Sequence, residues 1–371
     1  MKILITGDLF IDENVYQISS CNSSIEQIRS LTSTCDFSIT NLEAPLTNSK
    51  NKILKTGPHL KSNPDHAHLL IELGFNTCTL ANNHILDFGA DGVEETIETL
   101  NKLNLSHVGA NQNGKEKMPL IIKKQNEEDV IVINFCENEW STDKNQPYLA
   151  NGFNELEAYY QIKNANDQSK NVIVIYHGGN EHYAFPSPRI KKLFHFFVDI
   201  GASAVICHHS HVASGWEVYK GAPIFYSLGN FLFKNSKHNS DTWNEGLAVV
   251  LNFESSLSFE CIRFKQMQST YFFELVDDSE IKEKFSVINQ KIQDDEFIHR
   301  EFNKFVEANT RMYNSFLLPF ENRVLVALIN RGFLPNPWTK RKKSYLKNML
   351  TCESHRDVTE QILSNENSNP Q

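Results

Sequence analysis

From residue 2 to residue 264, short runs rich in β-branched and aromatic side chains alternate with stretches of helical apolar spacing. The runs are Lys2–Thr6, Phe37–Thr40, Asn76–Leu80, Val130–Phe135, Val172–Tyr176, Ala204–Cys207 and Pro223–Ser227. Amphipathic stretches at Asn63–Leu73, Gly92–Leu103 and Ser187–Ile200 fall between several of them. Strands separated by helices predict an α/β sheet covered on both faces. Leu247–Phe253 and Leu257–Phe264, joined by Glu254-Ser255-Ser256, read instead as an antiparallel hairpin. A mixed sheet, or two sheets, is therefore expected. After about residue 275 the strand signal fades. Ile281–Asn309 and Lys342–Leu350 have helical spacing, Val324–Ile329 fits either element, and Ser364–Gln371 reads as a frayed tail. The expected division is a domain over 1–265 and a mostly helical region over 266–371.

Composition narrows the function. The chain has 371 residues, 36 Lys+Arg against 45 Asp+Glu and a net charge of −9, which disfavours a nucleic-acid or anionic-membrane binder. The basic run Lys340-Arg341-Lys342-Lys343 reads as a solvated face. No stretch reaches the roughly 20 apolar residues of a membrane span, and Ile3-Leu4-Ile5 is too short for a signal-peptide core. Seven cysteines, an odd number without close pairs, predict free thiols and a cytoplasmic protein.

Residues able to do chemistry collect at strand ends. Asp8 follows the first run, Asn41-Leu42-Glu43 the second, and Asn82-Asn83-His84 with Asp87 the third. His177-Gly178-Gly179-Asn180-Glu181 follows a fourth and His208-His209-Ser210-His211 a fifth. In α/β proteins the carboxyl ends of strands are where loops converge on a site. A lone Asp there is commonly a helix cap, and Asn82-Asn83 could be a turn. Three histidines within four residues of an acidic chain are harder to assign to a turn. Carboxylate, amide oxygen and imidazole together suit a divalent ion, with Mn, Fe or Zn favoured.

The blocks Gly7-Asp8, Asn41-Leu42-Glu43-Ala44-Pro45, Ala81 to Gly89, His177 to Glu181, Cys207 to His211 and Tyr226 to Phe231 resemble the CapA family. Its members are capsule and poly-γ-glutamate synthesis proteins related to calcineurin-like metallophosphoesterases. The resemblance covers about residues 1–265. It implies a metallophosphoesterase-like β-sandwich of mixed sheets flanked by helices, here with a C-terminal helical appendix, and a one- or two-metal site at the sheet edge. By this resemblance Asp8 and His211 serve a first metal, Asn83, His177 and His209 a second, and Glu43 stands where relatives bridge the two with Asp. His84 resembles the imidazole that assists the leaving group. Asn41, Asn82, Asp87 and Asn230 are expected to border the pocket, the last near the end of the Tyr226–Phe231 block, which reads as a strand.

Two departures stand out. Where relatives usually place His, two residues after the first Asp, this chain has Phe10, and its bridging carboxylate is Glu. Asp12, Glu181 and His208 are the candidates to fill the gap. The implied function is metal-dependent hydrolysis of a phosphoester or a related ester or amide, γ-glutamyl bonds included, in the synthesis of an anionic surface polymer. The alternative is a non-catalytic accessory protein that binds such a polymer on the retained scaffold. A protein partner is expected, if anywhere, at the C-terminal helices. Cys352-Glu353-Ser354-His355 carries ligand-type residues but reads as helix-capping surface.

Overall fold

The structure is a computed structural model describing residues 1–350 apart from 56, 116, 235–239, 255, 268–271, 278, 317–321, 341, 344, 345 and 347–349. Cys352–His355 and Ser364–Gln371 lie outside the described residues, as does much of Lys342–Leu350.

Sixteen strands are found among the described residues: β1 (Lys2–Leu9), β2 (Phe37–Leu42), β3 (Thr77–Thr79), β4 (Ser106–Val108), β5 (Ala110–Gln112), β6 (Leu120–Ile122), β7 (Val130–Cys136), β8 (Tyr148–Ala150), β9 (Asn171–His177), β10 (Ala204–His208), β11 (Trp216–Tyr219), β12 (Ala222–Phe225), β13 (Asn230–Leu232), β14 (Glu245–Asn252), β15 (Ser258–Gln266) and β16 (Phe273–Leu275). One sheet runs β16-β15-β14-β1-β2-β3-β4, with β13 also pairing β1. Its β1 to β4 are parallel, while β14, β15 and β16 are antiparallel additions. The other runs β11-β12-β10-β9-β7-β6, parallel at its centre and antiparallel at both edges. A small third sheet pairs β5 with β8. Both large sheets are mixed, and the hairpin expected at 247–264 is β14–β15.

Side-chain alternation explains why the sheets stack. On β1, Ile3 and Ile5 pack with Val130 and Val132 of β7, Ile173 and Ile175 of β9, and Ala204 and Ile206 of β10. These residues form a dry layer between the sheets. The opposite face of β9, Val172, Val174 and Tyr176, packs against α3 (Glu155–Gln168) and α4 (Pro188–Asp199) through Ala158, Ile162, Phe194 and Phe197. The opposite face of the first sheet, with Leu4 and Leu42, meets α1 (Asn22–Thr32) and α2 (Gly89–Lys102) through Ile25, Ile28, Val93 and Leu100. The result is helix, sheet, sheet, helix.

Local signals set the helix starts. Ser187 caps α4, accepting from the Ile190 amide at 3.2 Å, and Pro188 occupies the first turn. Asn154 caps α3 in the same way. The stretch expected as one helix at 63–73 divides into a 3₁₀ turn, Pro64–Ala67, and a short helix, His68–Glu72. The chain separates into compact units at 1–300 and 301–371. Within the first, α5 (Ser279–Gln293) buries Phe285 and Ile292. In the second, the ambiguous 324–329 run is helical, Arg323–Asn330, capped by Asn322.

Candidate metal centre

Because β1, β2, β3, β9 and β10 are parallel within their sheets, their carboxyl ends can deliver side chains to a common rim. Asp8 sits at the end of β1, in register with Asn41 of β2 and Asn230 of β13. The approach of β13 is close enough that a Cβ on Gly7 would lie 2.0 Å from the Gly229 carbonyl oxygen, so position 7 admits only glycine. His177 ends β9 on the inward face that also carries Ile173 and Ile175. His209 and His211 follow β10 with φ of +93° and +57°. Left-handed backbone is costly for side chains with a Cβ, and two such residues in one turn are strain of the kind that collects at functional sites.

The side chains meet in two overlapping triads. Single ligand atoms of Glu43, His177 and His209 lie within 4.8 Å of one another, as do those of Asp8, Glu43 and His211. All five residues are buried, and Glu43 belongs to both triads. His177 Nε2 and His211 Nε2 stand 3.8 and 3.6 Å from Glu43 Oε1, beyond hydrogen-bonding reach. Asn83 Oδ1 is 3.0 Å from His177 Nε2, which is also 3.1 Å from His209 Nδ1. His177, His209, Asn83 and Glu43 thus gather on one side, and Asp8, His211 and Glu43 on the other.

The test of fit is Glu43. Both its carboxylate oxygens are buried with no hydrogen-bond partner among the described residues. Leaving a buried carboxylate unmatched costs several kcal/mol, so this geometry needs a proton or a cation. Burial, then the Asp8 charge, pushes Glu43 well above the usual carboxyl range. Burial pushes Asp8 up to about 6, opposed by hydrogen bonds from the Asn41 amide at 2.7 Å and the His209 backbone at 3.2 Å. Burial, reinforced by the neighbouring His209, holds His177 and His211 well below the ordinary histidine range. Neutral imidazoles facing carboxylates are the form in which such groups bind a metal ion. The residues fit a divalent cation.

Around these groups the pocket residues take defined places. Asn41 Nδ2 also lies 3.2 Å from His177 Nδ1, and Asn230 Oδ1 lies 2.9 Å from His211 Nδ1, so each orients an imidazole. Asn82 donates to the Leu42 carbonyl at 2.9 Å and accepts from the His84 amide at 3.1 Å, locking the turn that presents Asn83. His84 Nδ1 is 2.7 Å from Asp87 Oδ2, which leaves Nε2 as the ring's other functional atom. Burial lowers the His84 pKa while Asp87 opposes the shift.

Of the three residues considered for the gap at Phe10, Asp12 caps a short helix, Glu13–Tyr16, through the Val15 amide at 2.8 Å. Glu181 is exposed, close enough to raise the Glu43 pKa. His208 continues the inward face of β10 and lies 3.1 Å from the Thr6 carbonyl, between the sheets. None of the three belongs to either triad. Phe10 packs on Phe233 at 5.2 Å, and Phe233 in turn faces His211 at 5.1 Å. Trp243 flanks His211 at 4.9 Å, whereas Trp216, half-buried, packs on Phe225 and Phe285 at the edge of the core, and Trp140 is exposed.

One participant has no signal in the sequence. Lys55 lies in an irregular segment, yet its side chain is only 2% exposed and its ammonium pairs with Asp87, 3.1 Å from His84 Nδ1. Nothing in residue type or spacing singles out one lysine of a loop; only the folded chain reveals it.

Comparison with known proteins supplies the family. The model of the bacterial capsule synthesis protein PGA_cap matches residues 2–235, which include every residue of both triads. A capsule biosynthesis protein CapA of Bacillus anthracis is 35% identical over 182 residues, 47% of this chain and 44% of that one. A PGA biosynthesis protein CapA of Bacillus subtilis is 30% identical over 235 residues, 61% and 62% of the two chains. The chain therefore spans about half to three fifths of the length of these relatives. A crystal structure of a hypothetical protein from Thermus thermophilus superposes with a TM-score of 0.45 at 15% identity, over 72% of this chain and all of that one. The family match, over well more than half the chain, carries the conclusion: this protein belongs to the PGA_cap family of bacterial capsule synthesis proteins.

Proposed function

We propose that the chain is a metal-dependent hydrolase of a phosphoester, or of a related ester or γ-glutamyl amide, acting in the synthesis of a poly-γ-glutamate-type surface polymer. The observation that carries this reading is the pair of buried triads sharing an unpartnered Glu43. A divalent ion bound there would polarise a phosphoryl or carbonyl oxygen and acidify water. Asp8, Glu43 and His211 would hold one ion, and Glu43, Asn83, His177 and His209 a second. Mn, Fe or Zn suits this donor set. His84, its Nδ1 edge held by Asp87, would exchange a proton with the leaving group through Nε2.

Phe10 favours a second reading, in which the scaffold binds an anionic polymer without turnover, because it offers no ligand to the Asp8 triad. In either reading residues 1–265 do the chemistry or the binding, and 266–371 offer a surface to a protein partner. Six described cysteines are free, which supports a cytoplasmic setting. The experiment is metal analysis of the purified chain, followed by turnover of an aryl phosphate, a phosphodiester and a γ-glutamyl amide with added Mn. Bound ion with turnover that His84→Ala abolishes supports the hydrolase. Bound ion without turnover of any of the three supports the accessory protein, and no ion at all refutes the hydrolase.

A further inference from the structure

At the bridge that pairs Leu46 with Ser62, the chain leaves the fold and returns as a closed loop, with the Thr47 amide donating to the Ser62 carbonyl at 2.9 Å. Compact loops with joined ends are frequently functional. This one is basic: residues 48–63 hold Lys50, Lys52, Lys55 and Lys61 and no acidic residue, in a chain of net charge −9.

The loop is fastened to the wall of the metal centre through Asp87. The Ile53 amide donates to the Asp87 carbonyl at 3.2 Å, the Leu60 amide to its carboxylate at 2.7 Å, and the Lys55 ammonium pairs with the same carboxylate. Asp87 is also the partner of His84, so the loop sits against the groups that border the site.

The other three lysines point elsewhere than to acids. Lys50, Lys52 and Lys61 are exposed, and none pairs with a carboxylate among the described residues. Exposed lysines elsewhere do so routinely, as Lys102 with Glu98, Lys163 with Asp167 and Lys220 with Asp199. Lys61 and Lys52 lie 4.8 and 5.9 Å from the Phe88 ring centre, and Lys61 also donates to the Ser49 carbonyl at 2.8 Å, which ties its ammonium to the loop itself. The nearby acids are already engaged: Glu95 accepts from Thr47 and Asn48, and Asp91 accepts from Asn51.

We infer that this loop is the recognition surface for an extended polycarboxylate of the glutamate type, with Lys50 and Lys52 meeting successive carboxylates, Lys61 holding the loop together and Lys55 anchoring it beside the metal centre. The inference rests on the polymer part of the function proposed above. It does not require turnover.

The test is binding of the full chain to fluorescent poly-γ-glutamate, with chelator and again with Mn, at two salt concentrations. Wild type and the variant Lys50→Ala/Lys52→Ala are compared, leaving Lys61 and Lys55 in place so that the loop keeps its fastenings. The control Lys102→Ala/Lys163→Ala changes net charge equally on other surfaces. The loop variant is expected to lose about tenfold in affinity and to show a weaker salt dependence, while the control stays within about twofold of wild type. Equal loss in loop variant and control, or none in the loop variant, overturns the inference and leaves the hydrolase reading standing. So does a duplex DNA of matched charge that binds as tightly as the polymer. Absence of polymer binding in wild type overturns the inference, and the separate metal and turnover assays then decide the proposed function independently.

Discussion

In an ion-free pocket the buried Asp8 should cost stability as pH rises through its folded pKa, and a divalent ion should offset that cost. Asp8 moves from 3.8 to about 6 on folding, because burial outweighs its hydrogen bonds. A group whose folded pKa is raised contributes stability below its unfolded pKa and loses it as pH climbs through the folded value. At 1.36 kcal/mol per unit, the penalty of ionising Asp8 in the fold approaches about 3 kcal/mol by pH 7.5. Glu43, raised by burial and by Asp8, adds in the same direction. His177 and His211 act oppositely: their folded pKa is lowered, so their contribution is complete above about 6.5 and lost as pH falls below it. Below pH 6.5 the two sets oppose one another, so the Asp8 contribution is isolated by comparing wild type with Asp8→Asn: its cost develops between about pH 4 and 6 and is nearly complete by 6.5. Thermal unfolding in chelator should show Asp8→Asn gaining several degrees on wild type across that window, at about 2–4 °C per kcal/mol for domains somewhat smaller than this, and saturating Mn should raise the wild-type Tm at neutral pH. A difference between wild type and Asp8→Asn that stays constant across that window, or an ion effect independent of pH, would refute the electrostatic account of the pocket.

Three further outcomes follow from the same geometry. One ion should survive dialysis and one should be lost, since Phe10 offers the Asp8 side no ligand; His177→Ala should remove the retained ion, Phe10→His should raise total occupancy, and two equally retained ions in wild type would count against the asymmetry. Asp87→Ala should destabilise by about 3–5 kcal/mol in denaturant unfolding, because it strands the Lys55 ammonium and leaves the Leu60 amide and His84 without their acceptor, whereas Lys55→Met leaves Asp87 with both of those partners and should cost less. A similar cost for both would show that these two partners do not compensate the Asp87 carboxylate. Gly7→Ala should be severely destabilising, the new methyl meeting the Gly229 carbonyl, and a stable, soluble G7A protein would mean that β13 can separate from β1.

What was legible in the sequence was whatever had a period or a chemical signature. The central strands were readable because each alternates two apolar faces: on β10, Val205 and Cys207 turn toward the helices while Ala204 and Ile206 turn toward the other sheet. That alternation also indicates His208, two residues after Ile206, as an inward-facing residue, a signal the histidine-rich block conceals by inviting a reading of all three rings as ligands. Most of the three-residue strands, β4, β5, β6, β8 and β16, were not readable, since a run that short carries little period and depends on a neighbour for its hydrogen bonds; β3 is an exception, because it lies within the run Asn76–Leu80. Asp12 shows the opposite ambiguity. Its place near a strand end is equally that of a ligand and of a helix cap, and the amide of Val15 decides for the cap. Lys55 marks the limit of what residue patterns reveal: its loop has neither helical nor strand spacing, its partner Asp87 lies 32 residues away, and a lysine becomes informative only when the fold has removed it from water. The candidate metal centre is legible from residue types that few other roles explain. The basic loop beside it could be read only after the fold had shown which of its charges face protein and which do not.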